Sequence, residues 1–201
     1  MKPLLPAATK LITACAFGIF VYRAAHAFAH THHLNVLLLA IAETVTVLLI
    51  LIARRPEDVN ISFKTCLLTV CGTYYFLAIN LGVGLRLAPL WLSQGIQILG
   101  ILWQITSKVY LGNRFGLLPA NRGIIDRGPY RLVRHPIYFG YLLNHIGFLL
   151  SAFSLINVGI YCLLYLFQVG RMLEEEKLLS KDEAYRRYCG HVRTHLIPGV
   201  F

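Results

Sequence analysis

The run Ile137-Tyr-Phe-Gly-Tyr-Leu-Leu-Asn-His-Ile-Gly-Phe-Leu-Leu-Ser-Ala-Phe-Ser-Leu-Ile-Asn-Val-Gly-Ile-Tyr-Cys-Leu-Leu-Tyr-Leu-Phe-Gln-Val-Gly-Arg-Met172 is almost uncharged over 36 residues. A membrane crossing takes roughly 20 apolar residues, so one straight helix would overshoot the bilayer. Ser151-Ala-Phe-Ser-Leu-Ile-Asn157 offers a break near the middle. The run therefore predicts a helical hairpin that goes in and comes back.

The rest of the chain fits that reading. Of its 201 residues, 57% are hydrophobic and only 14% charged, whereas soluble domains carry about a quarter charged. Upstream of the hairpin, apolar segments at Thr9–Ala29, Leu34–Ala53, Phe63–Leu85 and Pro89–Tyr110 predict four further spans. The expected fold is all-α: a polytopic transmembrane helical protein with five or six membrane helices. Residues 1–110 form its N-terminal helices. Residues 111–201 form a second region of loop, hairpin and charged tail, helical to about Tyr188. Met1-Lys-Pro-Leu-Leu-Pro leads into the first span, which is expected to be retained rather than cleaved.

With the N-terminus inside and six crossings, all of the 19 Lys and Arg except Arg23 and Arg86 fall on the cytoplasmic side. That asymmetry predicts cytoplasmic N- and C-termini. It also accounts for the net charge of +10 through the membrane rather than through nucleic acid. The five cysteines, Cys15, Cys66, Cys71, Cys162 and Cys189, form no Cys-x-x-Cys pair. They suggest neither disulfides nor zinc, and no metal is expected.

The chemistry concentrates in the polar stretch before the hairpin, Arg127-Gly-Pro-Tyr-Arg-Leu-Val-Arg-His-Pro-Ile-Tyr-Phe-Gly140. Pro136 suits the first turn of a helix. Arg134 and His135 then gather at a helix N-terminus, which already favours anions. An anionic ligand and a lipid headgroup fit that pattern equally. A second polar group, Arg171-Met-Leu-Glu-Glu-Glu-Lys177, sits where the hairpin leaves the membrane. Arg171 and Glu175 are four apart and share a helix face. The hairpin would return both to the depth of Arg134 and His135. Glu175 and Glu176 would there either serve a ligand or neutralise the arginines.

These motifs, Gly128-Pro-Tyr-Arg-Leu-Val-Arg-His-Pro-Ile-Tyr-Phe-Gly140, then Arg171-x-x-x-Glu175-Glu176-x-x-Leu179 and Tyr185-x-x-Tyr188, resemble the isoprenylcysteine carboxyl methyltransferase family. That family is grouped with phospholipid and thiol methyltransferases. The resemblance covers roughly 111–201. It implies an integral membrane methyltransferase using S-adenosylmethionine without a Gly-x-Gly-x-x-Gly nucleotide fold. By resemblance His135, Tyr138 and Gly140 line the cofactor site, and Gly140 permits close backbone approach. Arg134 would take the methionine carboxylate, with Asn144, His145 and Glu176 nearby. Arg171 and Glu175 would be catalytic, Arg171 orienting an acceptor carboxylate. The acceptor would be a lipophilic small molecule or lipid, methylated on O, S or N. The Leu111–Gly123 loop resembles that of bacterial members and implies a bacterial inner membrane. The stretch from Leu179 to Tyr185 is shorter than in many relatives, which weakens a role for Tyr185. Rival readings are an NADPH-dependent sterol-type reductase, which shares the Arg-His-x-x-Tyr-x-Gly pattern, and a non-catalytic metal- or lipid-binding protein.

Other features have blander expectations. His26, His30, His32 and His33 read as interfacial imidazoles rather than ligands. Arg23 and Glu43 are expected to pair within the membrane. Gln104 and Lys108 would reach the site or cap the fourth span. Tyr74-Tyr75-Phe76 reads as lipid-facing or core packing rather than a cofactor box, and Lys177–Arg187 as a solvated helix face.

Overall fold

The computed structural model describes residues 4–32, 34–54, 58–59, 62–75, 78–79 and 84–200. Among them are seven α-helices: α1 (Leu4–Thr31), α2 (Leu34–Ile52), α3 (Phe63–Tyr74), α4 (Leu90–Leu111), α5 (Pro136–Ser151), α6 (Leu155–Leu179) and α7 (Glu183–His191). The protein is mostly helical, as expected. By length and composition α6 can cross a membrane; the apolar stretch Val36–Ile52 is shorter.

Local chemistry sets several boundaries. Ser62 caps α3 by accepting from the Thr65 N–H at 3.2 Å. Pro89 precedes α4, and Gly112 ends it at φ 55°, a conformation glycine adopts without cost. Pro136 opens α5, after His135.

The hairpin breaks at Ala152–Ser154, within the expected stretch. Its arms, however, touch little. α5 packs instead along α4, and α6 along α3. Glycines explain the first choice: a Cβ on Gly140 would lie 2.8 Å from the Gly100 carbonyl oxygen, and one on Gly147 would lie 2.6 Å from the Ser93 carbonyl oxygen. Only glycine lets these backbones approach so closely.

The third span is shorter than expected, since α3 ends at Tyr74. Further on, Leu85 exchanges backbone hydrogen bonds with Phe153 at 2.9 and 2.8 Å, and Leu87 donates to the Leu150 carbonyl. An extended segment pinned to the α5–α6 turn cannot continue a helix.

The long connection after α4 is folded. Phe115 packs with Phe17, Leu49 and Ile50 in a buried cluster. β2 (Ala120–Asn121) pairs antiparallel with β1 (Asp58–Val59). Arg114 donates to the Ile124 carbonyl at 2.7 Å and closes the loop on itself.

Candidate active site

The separation of α5 from α6 leaves a cavity of about 580 Å³, within the range of small-molecule sites. Residues Tyr138, Tyr141, Asn144, His145 and Phe148 present one face of α5 to it. Tyr161, Gln168, Arg171 and Glu175 present the matching face of α6. Phe17, Phe20, Val36 and Leu39 from α1 and α2 complete an apolar wall.

The Arg127–Gly140 stretch is held by the C-terminal segment. Gly128, at φ 60°, starts a 3₁₀ turn over Gly128–Arg131. The Tyr188 hydroxyl donates to the Tyr130 carbonyl at 2.6 Å. Backbone N–H groups of Arg134 and His135 donate to the carbonyls of Thr194 (3.0 Å) and His195 (2.8 Å). Burial pushes the Tyr130 phenol well above its ordinary pKa, so it stays neutral.

Glu176 is the hub of this region. Its carboxylate lies 3.1 Å from Arg134 Nη1, from His135 Nε2 and from His195 Nε2. Arg134 also reaches Cys189 Sγ at 3.3 Å, the Arg193 carbonyl at 3.1 Å and His195 Nε2 at 2.7 Å. Burial works against the Arg134 charge, but Glu176, Cys189 and Tyr185 together outweigh it and hold the guanidinium pKa above normal. Burial depresses the His195 pKa. Glu176 thus neutralises part of the arginine cluster.

Glu175 differs. Among the described residues no cation lies within ion-pair distance of it. Arg171, one turn earlier, is buried and donates to the Gly116 carbonyl at 3.3 Å. Its guanidinium stands 5.8 Å over the Tyr138 ring, and its Nε has no partner. Tyr138 stacks on His135 with centroids 5.8 Å apart.

His145 is enclosed by phenols. Its Nε2 meets the Tyr75 hydroxyl at 2.7 Å and its Nδ1 the Tyr165 hydroxyl at 2.8 Å, while Tyr161 stacks on it at 4.3 Å. Tyr75 therefore lines the cavity rather than merely packing; Tyr74 bonds Thr13 at 3.3 Å. Phe76 and His33 lie outside the described residues.

Four further residues named from the sequence are placed as follows. Gly140 faces α4, where Gly100 and Gln104 crowd it, and is absent from the cavity wall. Glu43 is matched not by Arg23 but by Lys108, at 3.8 Å. Lys108 is fully buried between α2 and α4 instead of capping α4. Tyr185 is buried in the cavity wall, with a hydroxyl that has no partner.

Arg122 is a wall residue that sequence reasoning missed; burial lowers its pKa, against the pull of Glu175. Tyr141 was legible as one turn from Tyr138 and His145 on the same face. His26 and His30 have ring nitrogens 3.4 Å apart on an exposed surface. Among the described residues no group of three or more potential ligands gathers around a metal site.

Comparison with curated proteins finds no match. A family model described as phospholipid methyltransferase matches residues 81–186, which run from before α4 into α7 and carry Arg134, His135, Arg171 and Glu175. The chain belongs to the phospholipid methyltransferase family, which includes the membrane methyltransferases resembling isoprenylcysteine carboxyl methyltransferase.

Proposed function

We propose that this chain is an integral membrane methyltransferase that uses S-adenosylmethionine and a lipid-like acceptor. The observation that carries the reading is one cavity with two kinds of wall. One wall is apolar. The other holds buried polar atoms that lack partners, Arg171 Nε, Arg134 Nε, Gln168 Oε1 and the Tyr185 hydroxyl, beside the half-buried Glu175 carboxylate. Buried polar groups left unpaired are costly unless a ligand or water completes them.

The donor set fits a zwitterionic cofactor. When bound, that cofactor supplies an electrophilic methyl group on a sulfonium. Arg171 would hold a carboxylate, and Glu175 an ammonium or sugar hydroxyls. His135 and Tyr138 offer a stacked pair of rings as a flat wall. Glu176 would act from behind the wall, holding Arg134 and His135, while Arg134 keeps an unpaired Nε in the cavity wall. Asn144 and His145 line the acceptor side, and the Tyr75 and Tyr165 hydroxyls fix the His145 ring. Rate enhancement would come from alignment of the acceptor in a dry pocket.

A membrane setting is supported by the inverted burial. Leu155, Ile156, Leu163 and Leu166 on α6 are more than half exposed, while Lys108, Gln104, Gln168 and Asn157 are buried. Exposed apolar faces on this scale suit lipid. The charge asymmetry supports a cytoplasmic cofactor side and cytoplasmic termini, and the resemblance of the Leu111–Gly123 loop to bacterial members supports a bacterial inner membrane. Partners are then membrane lipids and the lipophilic acceptor, with no nucleic acid.

Calorimetry on the purified protein should detect S-adenosylmethionine and its demethylated product. Binding of NADPH in their place would overturn the reading. Radiolabelled methyl transfer to prenylcysteines, thiols and phospholipids would then identify the acceptor atom.

A further inference from the structure

The pair Glu43–Lys108 stands apart from the Glu175 and Arg171 groups. Lys108 is fully buried, and its ammonium donates to Gln104 Oε1 at 2.7 Å, Thr46 Oγ1 at 2.7 Å and the Ala42 carbonyl at 3.4 Å. Three protons meet three acceptors, so Lys108 is satisfied without Glu43. Glu43 Oε1 lies 3.8 Å from the ammonium. That distance gives charge balance but a poor hydrogen bond. Glu43 is 5% exposed, and its Oε2 has no partner. Glu43 nevertheless lines the cavity, with Val36, Leu39 and Thr46 on the same face of α2 and with Tyr75 and Tyr141 across from them.

A buried carboxylate oxygen open to a ligand cavity asks for a hydrogen-bond donor. Charge decides what kind. Lys108 already balances Glu43, and Arg23 lines the same cavity. A cationic ligand would leave net positive charge in an apolar surround, which is expensive. A neutral O–H or N–H satisfies the oxygen at no such cost.

Resting on the methyltransferase reading, we infer that Glu43 is a specificity residue of the acceptor site, accepting a hydrogen bond from a neutral hydroxyl or amide N–H on the acceptor's apolar chain. Lys108 is a positioning residue that balances the Glu43 charge at 3.8 Å, and Thr46 and Gln104 hold the Lys108 ammonium in place.

The test uses the full chain in lipid nanodiscs and three probes of equal chain length: 1-dodecanol, dodecyl methyl ether and dodecylammonium. The wild-type protein should bind the alcohol about ten-fold more tightly than the ether, the worth of one good hydrogen bond. The double variant Glu43→Leu/Lys108→Met replaces the pair by apolar groups of similar size and should bring that ratio to about one. Folding is read from melting temperature and circular dichroism. If the double variant does not fold, Glu43→Gln serves, because its amide donates to the ether and also collapses the ratio. An ether bound as well as the alcohol by the wild type, a ratio that survives in the variants, or preference for dodecylammonium overturns the inference. If the wild type discriminates the alcohol but does not bind S-adenosylmethionine, the subsite stands and the methyltransferase reading falls.

Discussion

Glu175 and Glu176 are consecutive on α6, but only Glu176 meets a cation, Arg134 at 3.1 Å, with the His135 and His195 ring nitrogens also at 3.1 Å. Successive helix residues point about 100° apart. One carboxylate therefore turns to the C-terminal segment and the other to the cavity.

The two should separate on mutation. Glu176→Gln leaves Arg134 and His135 without their anion and should destabilise the protein by about 1–3 kcal/mol. Glu175→Gln should leave the melting temperature near wild type and weaken S-adenosylmethionine binding by at least about ten-fold. Calorimetry and thermal melts on both variants decide it. Equal loss of stability in both would contradict the division of roles.

Gly140 gives a second contrast. Its Cβ would meet the Gly100 carbonyl oxygen and Gln104 Cβ, both under 3.0 Å away. Gly140→Ala must push α5 off α4 and should cost about 1–3 kcal/mol. Gly159, on α6, has nothing within 4 Å of such an atom. Gly159→Ala should be neutral or stabilise by about 0.5–1 kcal/mol, because alanine is the better helix former. Melting temperatures in one detergent check both. A tolerated Gly140→Ala would mean that the helix contact is looser than the backbone distances state.

These cases show which parts of the fold a sequence carries. Pro136 at a helix start and the Ser151–Asn157 break are local, set by one ring and a few polar residues, and both are found where expected. The end of α3 is not local. Downstream of it Leu85 pairs with Phe153, across 68 positions of the chain. Gly140 was legible as a close approach, but not which surface approaches it. Glu43 was legible as an inward carboxylate; its partner Lys108 lies two helices away, and only packing of α2 on α4 selects it over Arg23. The division between Glu175 and Glu176 follows from helix rotation, which sequence alone leaves unanchored.

Tyr188 should be a structural rather than a chemical residue. Its hydroxyl donates to the Tyr130 carbonyl at 2.6 Å, and both tyrosines are buried. Tyr188→Phe leaves that carbonyl unpaired, at a cost of about 1–3 kcal/mol. The 3₁₀ turn before Arg134 should loosen, read as faster hydrogen exchange over Gly128–Val133. Tyr185→Phe, by contrast, removes a hydroxyl that has no partner. It should leave exchange unchanged and stability equal or higher, while weakening cofactor affinity. Matched exchange rates in the two variants would refute the distinction.

The C-terminal segment should loosen on acidification. Arg134 Nη2 donates to His195 Nε2 at 2.7 Å, which needs a lone pair on that nitrogen. Burial lowers the His195 pKa; Glu176 pulls it up, while Arg134 and His135 push it down, and the net shift is below the ordinary 6.5. The unfolded chain therefore takes up this proton first as pH falls. Where the unfolded state binds more protons, stability rises with pH. The contribution is flat above about pH 6.5 and is lost below it, until the folded pKa is also passed. Melting temperature should drop between pH 7 and pH 5, and trypsin should cut after Arg193 sooner at the lower pH when compared at equal protease activity. His195→Gln retains a side-chain acceptor oxygen but cannot titrate, and should flatten this part of the profile. An unchanged slope in His195→Gln would assign the acid sensitivity to another group.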